Sequence, residues 1–267
     1  MFKLVPALFA AALLAACASA PPVPPAAKAE LAPTGTLRVG ANFGNALLTG
    51  KDPATGEPRG IAIDLAREIG RRLGVPVEFV AYDAAGKLSA STTTGAWDIA
   101  FLGAEPERAN EIAFTAAYLE IEATYLVPAG SKIGGIADVD REGIRIAVPL
   151  GSAYDLYLSR SIKRAQLIRG PRPDGTFDLF VKDGLEVLAG LKARLASDAE
   201  RLPGSRLLDG SFNVVQQAIG THRGRDAGAR YLREFVEEAK ASGLVARIIE
   251  KNGVHGVSVA PSAAVRP

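Results

Sequence analysis

The stretch "GIAIDLAREIGRRLGVPVEFVAY", residues 60–82, contains the two periodicities that decide the fold. Apolar residues recur at helical spacing through its first half and end at a Gly/Pro stop signal: Ala62, Leu65, Ile69 and Leu73, then Gly74 and Pro76. Its second half, "VPVEFVAY", alternates apolar and polar residues and is rich in β-branched side chains, which is typical of a strand. The stretch therefore predicts a helix that leads directly into a strand.

Further strands flank this unit on both sides. "TLRVGA" (36–41) precedes it, and the apolar run "WDIAFLG" (97–103) follows it. Between them, "KLSASTTTG" (87–95) predicts a weaker helix, because threonine lowers helix propensity. The resulting β-α-β-α-β order predicts a parallel sheet with helices on both of its faces.

A second alternation of strands and helices follows the strand "IEATYLVPAGS" (121–131). It consists of the strand "GIRIAVPLGS" (143–152), the helix "AYDLYLSRSI" (153–162), the strand "AQLIRG" (165–170), the mostly helical "LFVKDGLEVLAGLKARL" (179–195) and the strand "SRLLDG" (205–210). Residues 227–243 and 244–253 predict two further helices. The chain is thus assigned to the α/β class, with two α/β units.

Composition excludes several classes of function. The 267 residues are 48% hydrophobic and 22% charged, with a formal net charge of +2, so no concentrated basic character indicates a nucleic-acid binder. One cysteine cannot form an internal disulfide, and one cysteine with two histidines makes a zinc site improbable. The sequence predicts neither a metal nor a cofactor.

The first residues predict export rather than fold. Lys3 and an apolar run over residues 4–16 indicate a signal peptide, which is too short for a transmembrane span. The run ends in "LAAC", which resembles the lipobox of bacterial lipoproteins, and this predicts lipidation of Cys17. The alternative is an ordinary small-residue cleavage site. Ala/Pro-rich residues 17–35 predict a disordered tether, and residues 257–267 a disordered tail.

The loops at strand ends are the candidate binding site. In open parallel sheets, ligands bind beyond the carboxyl ends of the strands, and here those ends are residues 42–45, 82–87, 103–108 and 151–154. Two lobes facing one another would place these loops in a cleft. Arg108 is the fixed cation in the third loop. It either holds an anion in that cleft or pairs with Glu111 at the surface.

These segments carry a family resemblance. "GTLRVGA", "GIAIDLAREIGRRLGVPVEFV", "WDIAFLG", "PERANEIAFTAAYLEIEATYLV", "GIRIAVPLGSAYDLYL" and "YLREFVEEAKASGLVARIIEKNG" together resemble the extracellular solute-binding proteins of family 3. That family contains periplasmic receptors of polar amino-acid ABC importers, and a few relatives are cyclohexadienyl dehydratases. The resemblance implies a type II periplasmic binding protein fold with two lobes, each an open, mostly parallel sheet flanked by helices.

The resemblance also implies domain limits, location and partners. Lobe one comprises residues 36–127 and the returning segment 210–256, and lobe two comprises residues 128–209. The chain crosses between the lobes near Leu126–Ser131 and Leu208–Phe212. The expected partners are a small-molecule ligand and an ABC permease in the inner membrane. We expect a periplasmic monomer, anchored to the membrane through Cys17.

Residue roles are also implied by the resemblance. The family's arginine at the position of Arg108 forms a two-pronged pair with the ligand's carboxylate, which a planar guanidinium fits. Backbone groups at Gly103 and Ala104 lie beside it, and Ser152 with Ala153 starts the facing helix of lobe two. Polar and aromatic candidates in the remaining loops and strands complete the predicted site: Asn42, Asn45, Tyr82, Lys87 and Gln216.

One departure from the family pattern bears on the ligand. Leu191 occupies the place of the aspartate that holds the ligand's ammonium group. The sequence therefore predicts a small carboxylate-bearing ligand, either an amino acid or a related organic acid that lacks the amine. We expect a receptor and not an enzyme. The alternatives are a dehydratase-like enzyme that uses Glu105, Glu120 or Glu122 as its acid, and a signalling or scaffolding lipoprotein.

Overall fold

The computed structural model describes residues 22–263. The helices within this range are α1 (Pro25–Leu31), α2 (Ile61–Leu73), α3 (Ala85–Ala90), α4 (Ala153–Ser161), α5 (Pro173–Lys182), α6 (Lys192–Glu200), α7 (Asp226–Ala241) and α8 (Leu244–Lys251). Short 3₁₀ turns cover Ser91–Thr94, Arg108–Asn110 and Ile136–Asp138. The predicted signal peptide and Cys17 lie outside the described residues.

The strands alternate with these helices along most of the chain. They are β1 (Leu37–Asn42), β2 (Gly50–Lys51), β3 (Pro58–Arg59), β4 (Val77–Tyr82), β5 (Ile99–Gly103), β6 (Ile112–Phe114), β7 (Leu119–Val127), β8 (Arg145–Pro149), β9 (Gln166–Gly170), β10 (Val187–Leu191), β11 (Arg206–Leu207), β12 (Asn213–His222) and β13 (Val257–Val259). The predicted α/β class is confirmed.

The strands form a mixed sheet in the order β4-β1-β5-β12-β7-β10-β8-β9. Strand β1 runs parallel to β4 and β5 in lobe one, and β8 runs parallel to β9 and β10 in lobe two. Strand β7 belongs to both lobes, because residues 119–123 pair with β12 and residues 123–126 pair with β10. The two predicted sheets are therefore joined through one long strand.

Helix α2 follows the periodicity in its sequence. Its apolar stripe is fully buried against the lobe-one core, including Leu65 and Ile69. The helix ends at Gly74, whose φ of 62° gives the left-handed cap that glycine adopts without strain. Strand β4 follows directly, which places its carboxyl end beside that of β1.

The structure corrects the predicted tether. Residues 25–31 are not disordered but form α1, which packs on α7 with Ala27 and Leu31 fully buried. The backbone N–H of Gly228 donates to Glu30 at 2.7 Å, and a Cβ on this glycine would lie 2.8 Å from Leu31. Tertiary contact therefore stabilises a helix that is too short to persist alone.

Two further sequence predictions were wrong. Within the predicted disordered tail, Val257–Val259 form β13 against β7, and Ala260 is buried. The mostly helical prediction for residues 179–195 contains a buried strand, β10, in the centre of the lobe-two sheet. A short apolar run that is buried on both faces has no alternation to mark it as a strand.

Candidate functional site

A cavity of about 160 Å³ lies where the strand-end loops of the two lobes meet. Its walls come from the carboxyl ends of β1, β5 and β8, the loop after β1, and the starts of α4 and α6. Six of the predicted site residues line it: Asn42, Asn45, Gly103, Arg108, Ser152 and Ala153. The fold thus brings together side chains that are far apart in the sequence.

Arg108 is buried in this cleft, in the 3₁₀ turn that follows β5. Only 4% of the residue is exposed, so the alternative surface pair with Glu111 is excluded. Its Nη1 donates to the Gly103 carbonyl at 2.7 Å within lobe one. Its Nη2 donates to the Gly151 carbonyl at 2.7 Å across the cleft. Its Nε is buried without a hydrogen-bond partner among the described residues.

The charge of Arg108 is not neutralised by a direct ion pair with any described carboxylate. Burial lowers the pKa of Arg108 to about 10, although the charges of Glu105 and Glu107 act in the opposite direction. The guanidinium therefore stays cationic at neutral pH although it is shielded from solvent. Burying a cation or an unpaired N–H is costly, and the chemistry of this buried guanidinium suits it to an anion.

Helix α4 faces Arg108 from lobe two. Ser152 is its N-cap, and the Ser152 hydroxyl accepts the backbone N–H of Asp155 at 3.1 Å. The helix start approaches lobe one so closely that a Cβ on Gly103 would lie 2.8 Å from Ala153. A glycine is therefore needed at the end of β5 for the lobes to meet in this way.

Ion pairs also hold the two lobes together at the rim of the cleft. Arg160, on α4, donates to Glu107 through Nη1 at 2.6 Å and to Glu105 through Nη2 at 2.8 Å. The Glu105 side chain is only 7% exposed. We call these two pairs the rim latch. Together with the bond from Arg108 to Gly151, they stabilise a closed arrangement of the lobes.

Removing the rim latch should open the ligand-free cleft. In Arg160→Met, Glu105 would stay buried without its direct ion-pair partner in the closed form, whereas opening would return it to water. We expect a shift of about 1–2 kcal/mol towards the open form, roughly tenfold in the closed-to-open ratio. Small-angle X-ray scattering should therefore show a larger radius of gyration. Arg164→Met removes an exposed charge after the same helix and serves as the control; identical scattering from both variants would contradict a latch.

Four predicted site residues do not line the cavity. The Ala104 N–H donates to the Gln216 carbonyl at 2.8 Å, and the Gln216 side chain donates to Glu120 at 2.9 Å. Tyr82 packs beside the Trp97 cluster of lobe one. Lys87 is exposed and pairs with Asp83 at 2.8 Å. Strand and helix geometry therefore directs these groups to other partners, and their role in ligand binding stays a prediction.

The cavity also contains polar residues that the sequence did not predict. The most prominent is Arg194, near the start of α6, and the others are Thr49, Tyr154, Ser197 and Gln217. Burial raises the pKa of the Tyr154 phenol, which therefore stays neutral. Arg194 escaped prediction because residues 179–195 lack a visible strand boundary. Its proximity to acidic Asp198 at helical spacing was the only signal in the sequence.

No cluster of three or more potential metal ligands occurs within residues 22–263. Within the same described part of the chain, no helix has the length and apolar character needed to cross a bilayer.

The fold matches known structures of binding proteins. The solute receptors for L-cysteine of Neisseria gonorrhoeae align with a TM-score of 0.74 and 22% identity, over 90% of this chain and 97% of that chain. A mutant of ArgBP from T. maritima aligns with a TM-score of 0.72 and 23% identity, over 85% of this chain and 99% of that one. An ancestral amino-acid-binding protein, a precursor of cyclohexadienyl dehydratase, aligns with a TM-score of 0.70 and 23% identity, over 84% of this chain and 98% of that chain.

These likenesses confirm the predicted two-lobed periplasmic binding protein fold. A search of curated proteins found no match in sequence. The model of the bacterial extracellular solute-binding proteins, family 3, matches residues 37–255. Because this match covers most of the chain and follows the order of elements described above, the chain belongs to the bacterial extracellular solute-binding proteins, family 3.

Proposed function

We propose that the protein is the extracytoplasmic receptor of an ABC importer and binds a small carboxylate-bearing ligand between its lobes. The observation that carries this proposal is Arg108, a buried cation that forms no ion pair with a described carboxylate and whose Nε has no partner among the described residues, in a cavity between two lobes. A carboxylate can accept two parallel N–H bonds from its planar guanidinium. Exclusion of water from the closed cleft strengthens such a pair.

The proposed mechanism is closure around the ligand. Opening breaks the Arg108 bond to Gly151 and the rim latch, which exposes the guanidinium to the solution. The ligand's carboxylate then takes the place of the Gly151 carbonyl at Arg108, and the lobes close again. Because the ligand prefers the closed form, it shifts the hinge equilibrium, and the closed form docks on the permease.

The surrounding residues have separate proposed roles. Asn42 and Asn45 supply neutral hydrogen bonds from lobe one. Ser152 and Ala153 lie at the start of α4 and present its N-terminus to the carboxylate. Helix N-termini carry a partial positive charge and therefore favour anions. Gly103 has no side chain, and this allows Ala153 of lobe two to approach the end of β5 when the lobes close. In this proposal the receptor works as a monomer at the membrane surface, anchored through the lipid at Cys17.

The acidic residues considered for dehydratase chemistry are engaged elsewhere, which supports binding over catalysis. Glu105 belongs to the rim latch, Glu122 pairs with Lys192 at 2.7 Å, and Glu120 accepts from Gln216. None of these three lines the described cavity. An acid catalyst would need to reach a leaving hydroxyl of the ligand.

A ligand screen tests the proposal. The mature chain is heated with amino acids, oxo acids, hydroxy acids, dicarboxylates and aromatic acids, and a matching set of amides without a carboxylate is the control. A ligand at a hundredfold excess over its Kd should raise the free energy of unfolding by about 2.7 kcal/mol. Stabilisation by acids and not by their amides is the expected result. If the folded protein responds to no acid, the proposed function is wrong.

A further inference from the structure

The cavity carries positive groups from both lobes. Arg108 enters from lobe one, and Arg194 enters from lobe two. The N-terminus of α4 contributes further positive potential between them. Among the described residues that line the cavity, none is an aspartate or a glutamate. A ligand ammonium enclosed here would find no carboxylate among these lining residues to accept its hydrogen bonds, and this is costly.

Arg194 is held rigidly by two carboxylates behind it. Its Nε donates to both Asp198 oxygens at 3.0 and 3.1 Å, and its Nη2 donates to Asp174 at 2.6 Å. These bonds fix the plane of the guanidinium. Its Nη1 has no hydrogen-bond partner within residues 22–263, so one pair of donors remains for a ligand.

The charge of Arg194 is already balanced, unlike that of Arg108. Asp174 and Asp198 supply two negative charges, and Arg201 adds a second positive charge by contacting Asp198 at 3.3 Å. Arg172 also pairs with Asp174 at 3.6 Å, and Asp178 pairs with Arg201 at 3.9 Å, so the cluster of three arginines and three aspartates is neutral overall. Such a cluster can donate a hydrogen bond to a neutral oxygen, but it gives a second carboxylate little net attraction.

We propose that the cavity selects a monocarboxylic acid that carries a neutral oxygen, an oxo or hydroxy group, and no ammonium group. Arg108 takes the carboxylate, and Arg194 donates to the neutral oxygen. This inference rests on the proposed function and names its ligand class. It makes Arg194 the residue that discriminates between acids of the same carbon skeleton.

Matched ligands test the selectivity. Titration calorimetry on the mature chain compares three skeletons, those of alanine, leucine and phenylalanine. Each is offered as the amino acid, the α-oxo acid, the α-hydroxy acid and the plain acid. For the skeleton that fits, the oxo or hydroxy acid should bind at least about tenfold more tightly than both the amino acid and the plain acid, about 1.4 kcal/mol.

A pair of conservative variants tests the role of Arg194. Arg194→Lys keeps a cation beside Asp174 and Asp198 but removes the fixed planar donors. It should reduce affinity for the oxo or hydroxy acid about tenfold and leave the affinity for the plain acid unchanged. Arg201→Lys is the matched control, because Arg201 contacts the same Asp198 but does not line the cavity. If Arg194→Lys lowers the affinity for the plain acid as much as that for the oxo or hydroxy acid, Arg194 has a structural role and the inference is overturned.

The outcomes separate this inference from the proposed function. If an amino acid or a dicarboxylate binds at least as tightly as the oxo and hydroxy acids, and does so through Arg108, the receptor function stands and the inferred ligand class is wrong. If no member of the series and no other acid of the screen binds, the proposed function fails and the inference fails with it.

Discussion

Asp98→Asn should lower the free energy of unfolding by about 3–5 kcal/mol, the cost of removing one partner from a buried ion pair. The Asp98 carboxylate is fully buried immediately before β5. It accepts from Arg38 through the backbone N–H at 3.1 Å, Nε at 2.9 Å and Nη2 at 2.8 Å, and from Arg225 at 3.0 Å. An amide places an NH₂ group against these donors and leaves two arginines without their anion.

Lobe two supplies a matched control for this change. Glu186, just before β10, accepts from the backbone N–H, Nε and Nη2 of Arg145 at 2.8, 2.9 and 2.8 Å. The arrangement repeats that of Arg38 and Asp98, but the Glu186 side chain is 32% exposed. Since solvent screens this pair, Glu186→Gln should cost only about 1 kcal/mol. Urea unfolding measures the free energy of unfolding of both variants. Equal losses in Asp98→Asn and Glu186→Gln would contradict the idea that burial makes the Asp98 pair more important.

Acid unfolding should depend on the same carboxylate. Burial alone would raise the pKa of Asp98, but the hydrogen bonds from Arg38 and Arg225 outweigh it and hold the pKa below its ordinary value. The unfolded chain therefore binds the proton more readily than the folded chain. This contribution to stability is present above an ordinary aspartate pKa of about 4 and is lost as the pH falls below it. Below about pH 4, the free energy of unfolding should therefore fall less steeply with decreasing pH in Asp98→Asn than in the unchanged protein.

The sequence allowed prediction of those site residues that follow directly from strand ends. Arg108 and Gly103 follow the apolar run of β5, and Ser152 begins a helix with a recognisable cap. Such local signals are enough to place a residue at the carboxyl edge of a sheet. They do not tell which loop residues turn towards the cleft, and Tyr82 and Lys87, at and after the end of β4, do not line the cavity.

Tertiary contacts decided the parts that were missed. Strand β10 is an apolar run buried on both faces, so its pattern equally suits a helix, and the break between β10 and α6 just before Arg194 was missed. Helix α1 has seven residues and depends on the groove beside Gly228. Strand β13 depends on an open edge of β7. In each case the stabilising partner is distant in sequence, and local propensity carries no information about it.

Arg108→Met should raise the Kd of the acid that gives the largest thermal shift by at least about a hundredfold, or 2.7 kcal/mol. Truncating one partner of a buried, hydrogen-bonded charge pair commonly costs 2–5 kcal/mol or more. In the closed cleft, methionine fills similar space but offers no donor to a carboxylate. Titration calorimetry with the same acid measures the change. Arg233→Met removes an exposed arginine from α7 and should bind as the unchanged protein does.

Arg108→Lys distinguishes charge from geometry at this position. Lysine keeps the positive charge but donates from a single point, so it loses the two parallel bonds and the contacts to the Gly103 and Gly151 carbonyls. If geometry governs binding, the lysine variant should resemble Arg108→Met and bind far more weakly than the unchanged protein. If it retains most of the affinity, the carboxylate is held by charge alone. Full affinity in Arg108→Met would mean that the ligand is anchored elsewhere and that the proposed carboxylate site is wrong.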